Sequence, residues 1–206
     1  MRLTVSATRM ELLRLKKRLI LARRGHKLLK DKQDELMSQL LGLVERIGEV
    51  RREVETRLEE VYGHFLSARM SLDDRTLEAA LSFPGKVVKL KATQRLILNI
   101  RVPVLKPEIE GKIYCYGFAS TPGDLDVALK KLEQLLEKMI QLAEMEKTLQ
   151  LLADEIERTR RRVNALEYVL IPDLQEAIKY ITMKLEEMER ESLTRLMRVK
   201  EIIRGE

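Results

Sequence analysis

Residues 12–54 read LLRLKKRLILARRGHKLLKDKQDELMSQLLGLVERIGEVRREV, and the spacing of their apolar side chains decides the fold. Leu12, Leu15, Leu19, Ala22, Leu29, Leu36, Leu40, Leu43, Ile47, Val50 and Val54 fall on alternating steps of three and four. The other end of the chain repeats the pattern through Leu149, Leu152, Ile156, Val163, Leu166 and Leu170. It resumes at Ile178, Ile181, Leu185, Met188, Leu196, Val199 and Ile203. A seam that persists this long winds helices around one another. Because the chain must turn back between the two stretches, the helices are expected to pair antiparallel. The fold class is mainly α: a long antiparallel two-helix coiled coil.

Composition agrees with that architecture. Charged residues make up 35% of the 206, aromatics only 4%, and there is no Trp, so a thick core has few anchors while long helix flanks are well supplied. The first helix is expected to begin after Ser6 or Thr8, either of which can cap it, and to run to about Met70. Past Val54 the pattern continues through Leu58, Val61, Phe65 and Ala68 with an extra residue, a stutter that locally unwinds a supercoil. The second helix is expected from Asp124, after Thr121-Pro122-Gly123, to about Ile203, with Gly205 marking its end. The chain then divides into an amino-terminal helix (1–75), a connecting region (76–121) and a carboxyl-terminal helix (122–206), forming one elongated unit.

Between the helices the grammar changes. Four of five prolines, Pro84, Pro103, Pro107 and Pro122, lie there. From Arg95 to Leu105 the period becomes two, with Leu96, Leu98, Ile100, Val102 and Val104 on one side, as in a half-buried strand. Val87–Leu90 and Lys112–Phe118 are shorter candidates, with turn signals at Lys106-Pro107-Glu108 and Glu110-Gly111. Pro103 marks an edge strand. A small β-hairpin head is expected where the chain turns around.

Charge is uneven. The net +6 hides a segment, residues 1–32, with eleven Lys or Arg against only Glu11 and Asp31. Such a segment is a solvated helix face or meets an acidic surface. Arg9, Arg14, Lys16 and Arg18, with Arg160, Arg161 and Arg162 on the second helix, are the candidate contacts. Nucleic acid is not the expected partner, because no aromatic lies in the first 32 residues to stack on bases. No stretch approaches the roughly 20 apolar residues of a membrane span. No secretory leader is expected, and the single Cys115 excludes an internal disulfide.

Nothing points to catalysis. Two histidines, His26 and His64, leave no metal-ligand set, and phosphate-cradling Gly-x-x-x-x-Gly-Lys-Ser/Thr or Gly-x-Gly-x-x-Gly loops are absent. Catalytic, cofactor-binding and metal residues are therefore expected to be none. His26 and Gln33 sit on the seam, where a polar side chain sets register. Pro172 interrupts the second helix and is expected to bend it by removing the bond to the Tyr168 carbonyl.

The most specific string is Arg158 to Pro172, RTRRRVNALEYVLIP, which contains Asn164, Glu167 and Pro172. With Thr8-Arg9, Leu12, Leu15, Lys16 and Leu19, then Gly25-His26 and Leu28-Leu29-Lys30, it resembles the D subunit of the vacuolar- and archaeal-type rotary ATPases. Ile178-Lys179-Tyr180-Ile181, Leu185-Glu186-Glu187 and Val199-Lys200 extend the resemblance over nearly the whole chain. The resemblance implies a non-catalytic central-stalk rotor component with both chain ends inside a ring of catalytic (A) and non-catalytic (B) subunits. It implies a companion, the F subunit, an adaptor to the membrane ring, the C or d subunit, and a cytoplasmic, membrane-peripheral location. It implies no cofactor, since nucleotide binds the surrounding subunits. The rival is a coiled-coil scaffold or tether outside any rotary machine.

Overall fold

A computed structural model describes residues 6–113, 116–117 and 121–205. Helix α1 spans Arg9–Ser71 and α2 spans Asp74–Leu81; strands β1 (Lys86–Ile97) and β2 (Ile100–Gly111) follow. Helix α3 covers Gly123–Ala165, a π-helical segment covers Leu166–Leu170, and α4 covers Ile171–Arg204. Thr8 caps α1: its Oγ1 accepts from the Glu11 N–H at 3.3 Å. Gly205 ends α4 in the left-handed conformation, φ 76°, with its N–H on the Ile202 carbonyl. Both boundaries match those read from the sequence.

The described residues fall into two compact units, each built from parts of both long helical stretches: Met1–Glu35 with Ile156–Glu206, and Leu36–Glu155. In the first, α1 and α4 run antiparallel, since Arg9 pairs with Glu189 at 2.6 Å while His26 meets Glu167 at 3.2 Å. Leu15, Ala22, Leu174 and Ile181 form its core, flanked by Leu12, Leu19, Ile171, Ala177, Ile178 and Leu185. In the second, α1 and α3 also run antiparallel, tied by Arg51–Glu146 at 2.5 Å, Glu60–Lys131 at 2.9 Å and the Glu53–Lys138 pair. The long antiparallel helix pairing is thus observed within each unit.

The seam differs from its sequence reading in three places. On α1 the deepest positions are Leu15, Ala22 and Leu36, then Ile47, Val54, Val61 and Ala68. Sevenfold spacing is broken between Leu36 and Ile47, so the stutter lies there and not at Val54. On the returning stretch Leu170 is exposed, and the buried line passes from Leu166 to Ile171 and Leu174. The cause is the π-helical segment: the Ile171 N–H reaches five residues back, to the Leu166 carbonyl, and absorbs one extra residue. It directly precedes Pro172, which has no N–H to return to the Tyr168 carbonyl. Thirdly, Met188, Leu196, Val199 and Ile203 are exposed, not packed. Arg9, at the start of α1, lies beside Glu189, so α4 continues past the end of its partner.

The hairpin also departs from expectation. Arg95–Leu105 is not one strand but the two sides of a turn at Leu98 and Asn99, with φ 44° and 71°. Two positive φ values make a type I′ turn, whose twist suits a hairpin but which usually carries Asn and Gly. A Leu there left no signal in the sequence. Lys106-Pro107-Glu108 lies inside β2, and of the expected strand 112–118, residues 112, 113, 116 and 117 are not strand; Tyr114, Cys115 and Phe118 lie outside the described residues. With Ile97 and Ile100 closing the turn as a hydrogen-bonded pair, Gln94↔Pro103 and Leu90↔Pro107 are non-bonded pairs. Both prolines therefore remove N–H groups that point away from β1. The hairpin lies along α3 and not at the turn-around: Lys86 pairs with Glu133, and the Leu105 N–H donates to Glu144 at 2.8 Å.

Near the helix reversal, Ala68, Leu77 and Leu125 close a small core with Phe65, Leu72, Tyr116 and Leu129. The Tyr116 hydroxyl donates to Asp126 at 2.5 Å.

Candidate functional site

In the unit of residues 6–35 and 156–205, most of the helix surface is left for partners. The seam takes one narrow stripe of each helix, because two helices alone bury little more than the facing positions. Along α4 the apolar residues Leu193, Leu196, Met197, Val199, Ile202 and Ile203 are all at least half exposed, with Ile203 at 78%. On α1, Met10, Leu13, Ile20, Leu21 and Leu28 form a second exposed apolar line among the cations. Exposed apolar stripes of this extent mark interaction sites.

The basic residues separate along the unit. Arg9 is engaged by Glu189 and Arg14 by Glu11 at 3.6 Å. Lys16 and Arg18 are exposed and have no ion-pair partner among the described residues. Arg161 pairs with Glu157, while Arg160 and Arg162 are exposed. Arg160–Arg162 lie beyond the His26–Glu167 contact from Arg9–Arg18, with Arg23, Arg24, Lys27 and Lys30 of α1 in the interval.

His26 and Glu167 come together: Nε2 of His26 lies 3.2 Å from a Glu167 carboxylate oxygen. This polar contact crosses between the helices immediately before the exposed Tyr168, Val169 and Leu170 of the π-helical segment. Gly25 leaves space where a Cβ would stand, and Asn164 and Pro172 are exposed. One buried polar atom, Thr159 Oγ1, has no partner among the described residues. The sequence seam stepped over Thr159, although it fills the place between Ile156 and Val163.

No group of three or more His, Cys, Asp or Glu able to hold a metal occurs among the described residues. In the other unit, a largely apolar cleft of about 200 Å³ is lined by Pro84, Gly85, Ile109, Ile113, Leu129, Leu132 and Leu136, with Lys86 and Glu133 paired to each other at its wall. It contains no constellation for acid–base or nucleophilic work. Charges there serve helix pairing. Hydrogen bonds from Lys138 and Lys131 hold the carboxyls of Glu53 and Glu60 below their ordinary value. Glu146 raises Arg51 in the same way. No helix among the described residues is long and apolar enough to cross a membrane.

Paired long helices with a two-stranded hairpin between them narrow the families to which the chain can belong. The sequence profile of the ATP synthase D subunit matches residues 11–201. This chain belongs to that family. Among its relatives, the V-type ATP synthase D subunit of Acetivibrio thermocellus is 55% identical over 203 residues, covering 97% of this chain and 91% of the relative. The protein of the same name from Clostridium novyi is 50% identical over 210 residues, covering 100% and 97%. That of Clostridium botulinum strain ATCC 19397 is 49% identical over 208 residues, covering 98% and 96%. As a D subunit the chain is a non-catalytic part of a V-type ATP synthase. The family match takes in His26, Glu167, the π-helical segment and most of the exposed α4 face.

Proposed function

We propose that the chain is the central-stalk rotor component of its complex and transmits torque between the nucleotide-handling ring and the ion-translocating membrane ring. The observation that carries this is the apolar face of α4 beyond Glu189, uncovered among the described residues and set on a helix whose other surfaces are charged. A bearing needs a surface that differs from side to side, and α4, apolar on one side and charged on others, supports that reading. The A and B subunits of the ring are the proposed sleeve, the F subunit is the companion, and the C or d subunit is the adaptor to the membrane ring. The chain then works at the cytoplasmic side, peripheral to the membrane.

An object with unequal faces presents a different surface to each catalytic interface around it. If the ring's nucleotide affinity depends on the angle of that object, nucleotide binding biases the angle by the same free energy. Turning and chemistry are thereby coupled in either direction. The exposed cations Lys16, Arg18, Arg160 and Arg162 suit contacts that must release. Exposed ion pairs are worth about 0–1 kcal/mol each and are screened over roughly 8–10 Å.

The test is direct observation. Ring subunits anchored to glass are assembled with this chain carrying a bead on a cysteine in place of Lys106, after Cys115→Ser. Unidirectional turning with ATP is expected. Hydrolysis by an intact complex whose bead stays still would leave the static scaffold or tether in its place.

A further inference from the structure

We propose that the outer edge of β1 is a docking site for an extended, acid-rich segment of another protein chain, which adds to the hairpin as a third strand. The two edges of the hairpin are unlike. On β2, the groups that point away from β1 belong to Arg101, Pro103, Leu105, Pro107 and Ile109. Two of these are prolines with no N–H, and the Leu105 N–H between them is taken by Glu144. That edge is closed. On β1 the outward groups belong to Val88, Leu90, Ala92, Gln94 and Leu96. No proline interrupts them, and their outer N–H and C=O groups have no partner among the described residues. Every residue from Val87 to Leu96 is exposed. An open edge of this length is a template for strand addition.

Charge selects the occupant. Strand β1 carries Lys86, Lys89, Lys91 and Arg95 and no acid. Lys89, Lys91 and Arg95 share one face, whereas Val88, Leu90, Ala92 and Leu96 share the other. Lys89 and Lys91 reach Glu110 and Glu108 on β2, leaving Arg95 without a charged partner among the described residues. A second copy of β1 would set cations against cations, which opposes self-pairing. A strand alternating acidic and apolar residues matches both faces at once. This inference is separate from torque transmission and can succeed or fail without it.

The probe is a short synthetic peptide alternating Glu and Val, added to the full chain, with amide hydrogen exchange read residue by residue. Slowed exchange is expected at Val88, Leu90, Ala92, Gln94 and Leu96 and no change at Lys89, Lys91, Thr93 and Arg95, already bonded to β2. Ala92→Pro removes an outward N–H opposite Leu105, a site of the kind where Pro103 and Pro107 already sit in β2. It is expected to weaken binding at least about tenfold while Thr93 and Arg95 stay protected. Arg95→Glu should weaken binding with every N–H in place. No alternate protection, equal binding of a Lys–Val peptide, or undiminished binding by Ala92→Pro overturns the proposal. Protection that appears with chain concentration and no peptide overturns it in favour of self-pairing.

Discussion

Replacing Leu196, Ile202 and Ile203 together by Ala separates what holds this chain together from what it offers to others. These residues are 65%, 77% and 78% exposed, so the isolated chain gains almost nothing from them. Ala is also the best helix former, and α4 should persist. Surface changes of this kind shift stability by about 0.5 kcal/mol or less each. If a surrounding ring buries them, each truncation forfeits about 1–2 kcal/mol of apolar burial, the lower part of the range for a fully buried aliphatic side chain. Three such losses give about 3–6 kcal/mol, or roughly a hundredfold to ten-thousandfold in affinity. The control is Ile181→Ala, at 0% exposure in the core with Leu15 and Leu174. That change should cost about 2–4 kcal/mol of folding stability, since a cavity beside a two-helix seam collapses more readily than one in a thick core. Thermal unfolding by circular dichroism and titration of labelled chain into purified ring subunits measure the two quantities. An unchanged ring affinity for the triple variant, or a melting temperature lowered as far as that of Ile181→Ala, would refute the reasoning.

Thr159→Val, which removes the unpartnered buried hydroxyl and keeps the shape, should raise folding stability by about 1 kcal/mol, read from denaturant unfolding. Leu98→Asn with Asn99→Gly should relieve left-handed backbone cost at the turn by about 1 kcal/mol, slowing amide exchange at Thr93 and Arg95. Pro172→Ala should leave the π-helical segment in place, because the buried line from Leu166 to Ile171 needs the extra residue; a continuous α-helix in the variant's structure would make the proline its sole cause. Glu53 and Glu60 have folded-state values lowered from 4.5, so their stabilisation is complete above that pH and disappears as acid protonates the folded pairs. The melting temperature should accordingly fall below about pH 4.5, and Glu53→Gln with Glu60→Gln or high salt should flatten that fall.

Element type and helix limits were legible because they depend on local chemistry. Steps of three and four name a helix, Thr8 opens α1 and Gly205 closes α4, and the Arg158–Pro172 string carries the family resemblance that the profile match established. The hairpin was legible as β but not in its register. A two-residue turn keeps the alternation running, so Leu96 to Val104 reads as one strand although Leu98 and Asn99 reverse it. Prolines at 103 and 107 resemble turn signals until the pairing shows that their missing N–H groups face outward.

Sequence by itself determined that this chain makes long helices with one apolar stripe each and a β segment between them. Which stripe residues are covered was decided only by tertiary structure. Val199 and Ile181 each follow a step of three and precede a step of four, yet one is 50% exposed and the other is sealed. The difference is where the partner helix starts: Arg9 stands beside Glu189, and no described residue of α1 lies further along α4. Periodicity is a property of one helix, whereas burial needs a second surface within contact distance, and that depends on residues far away in the chain.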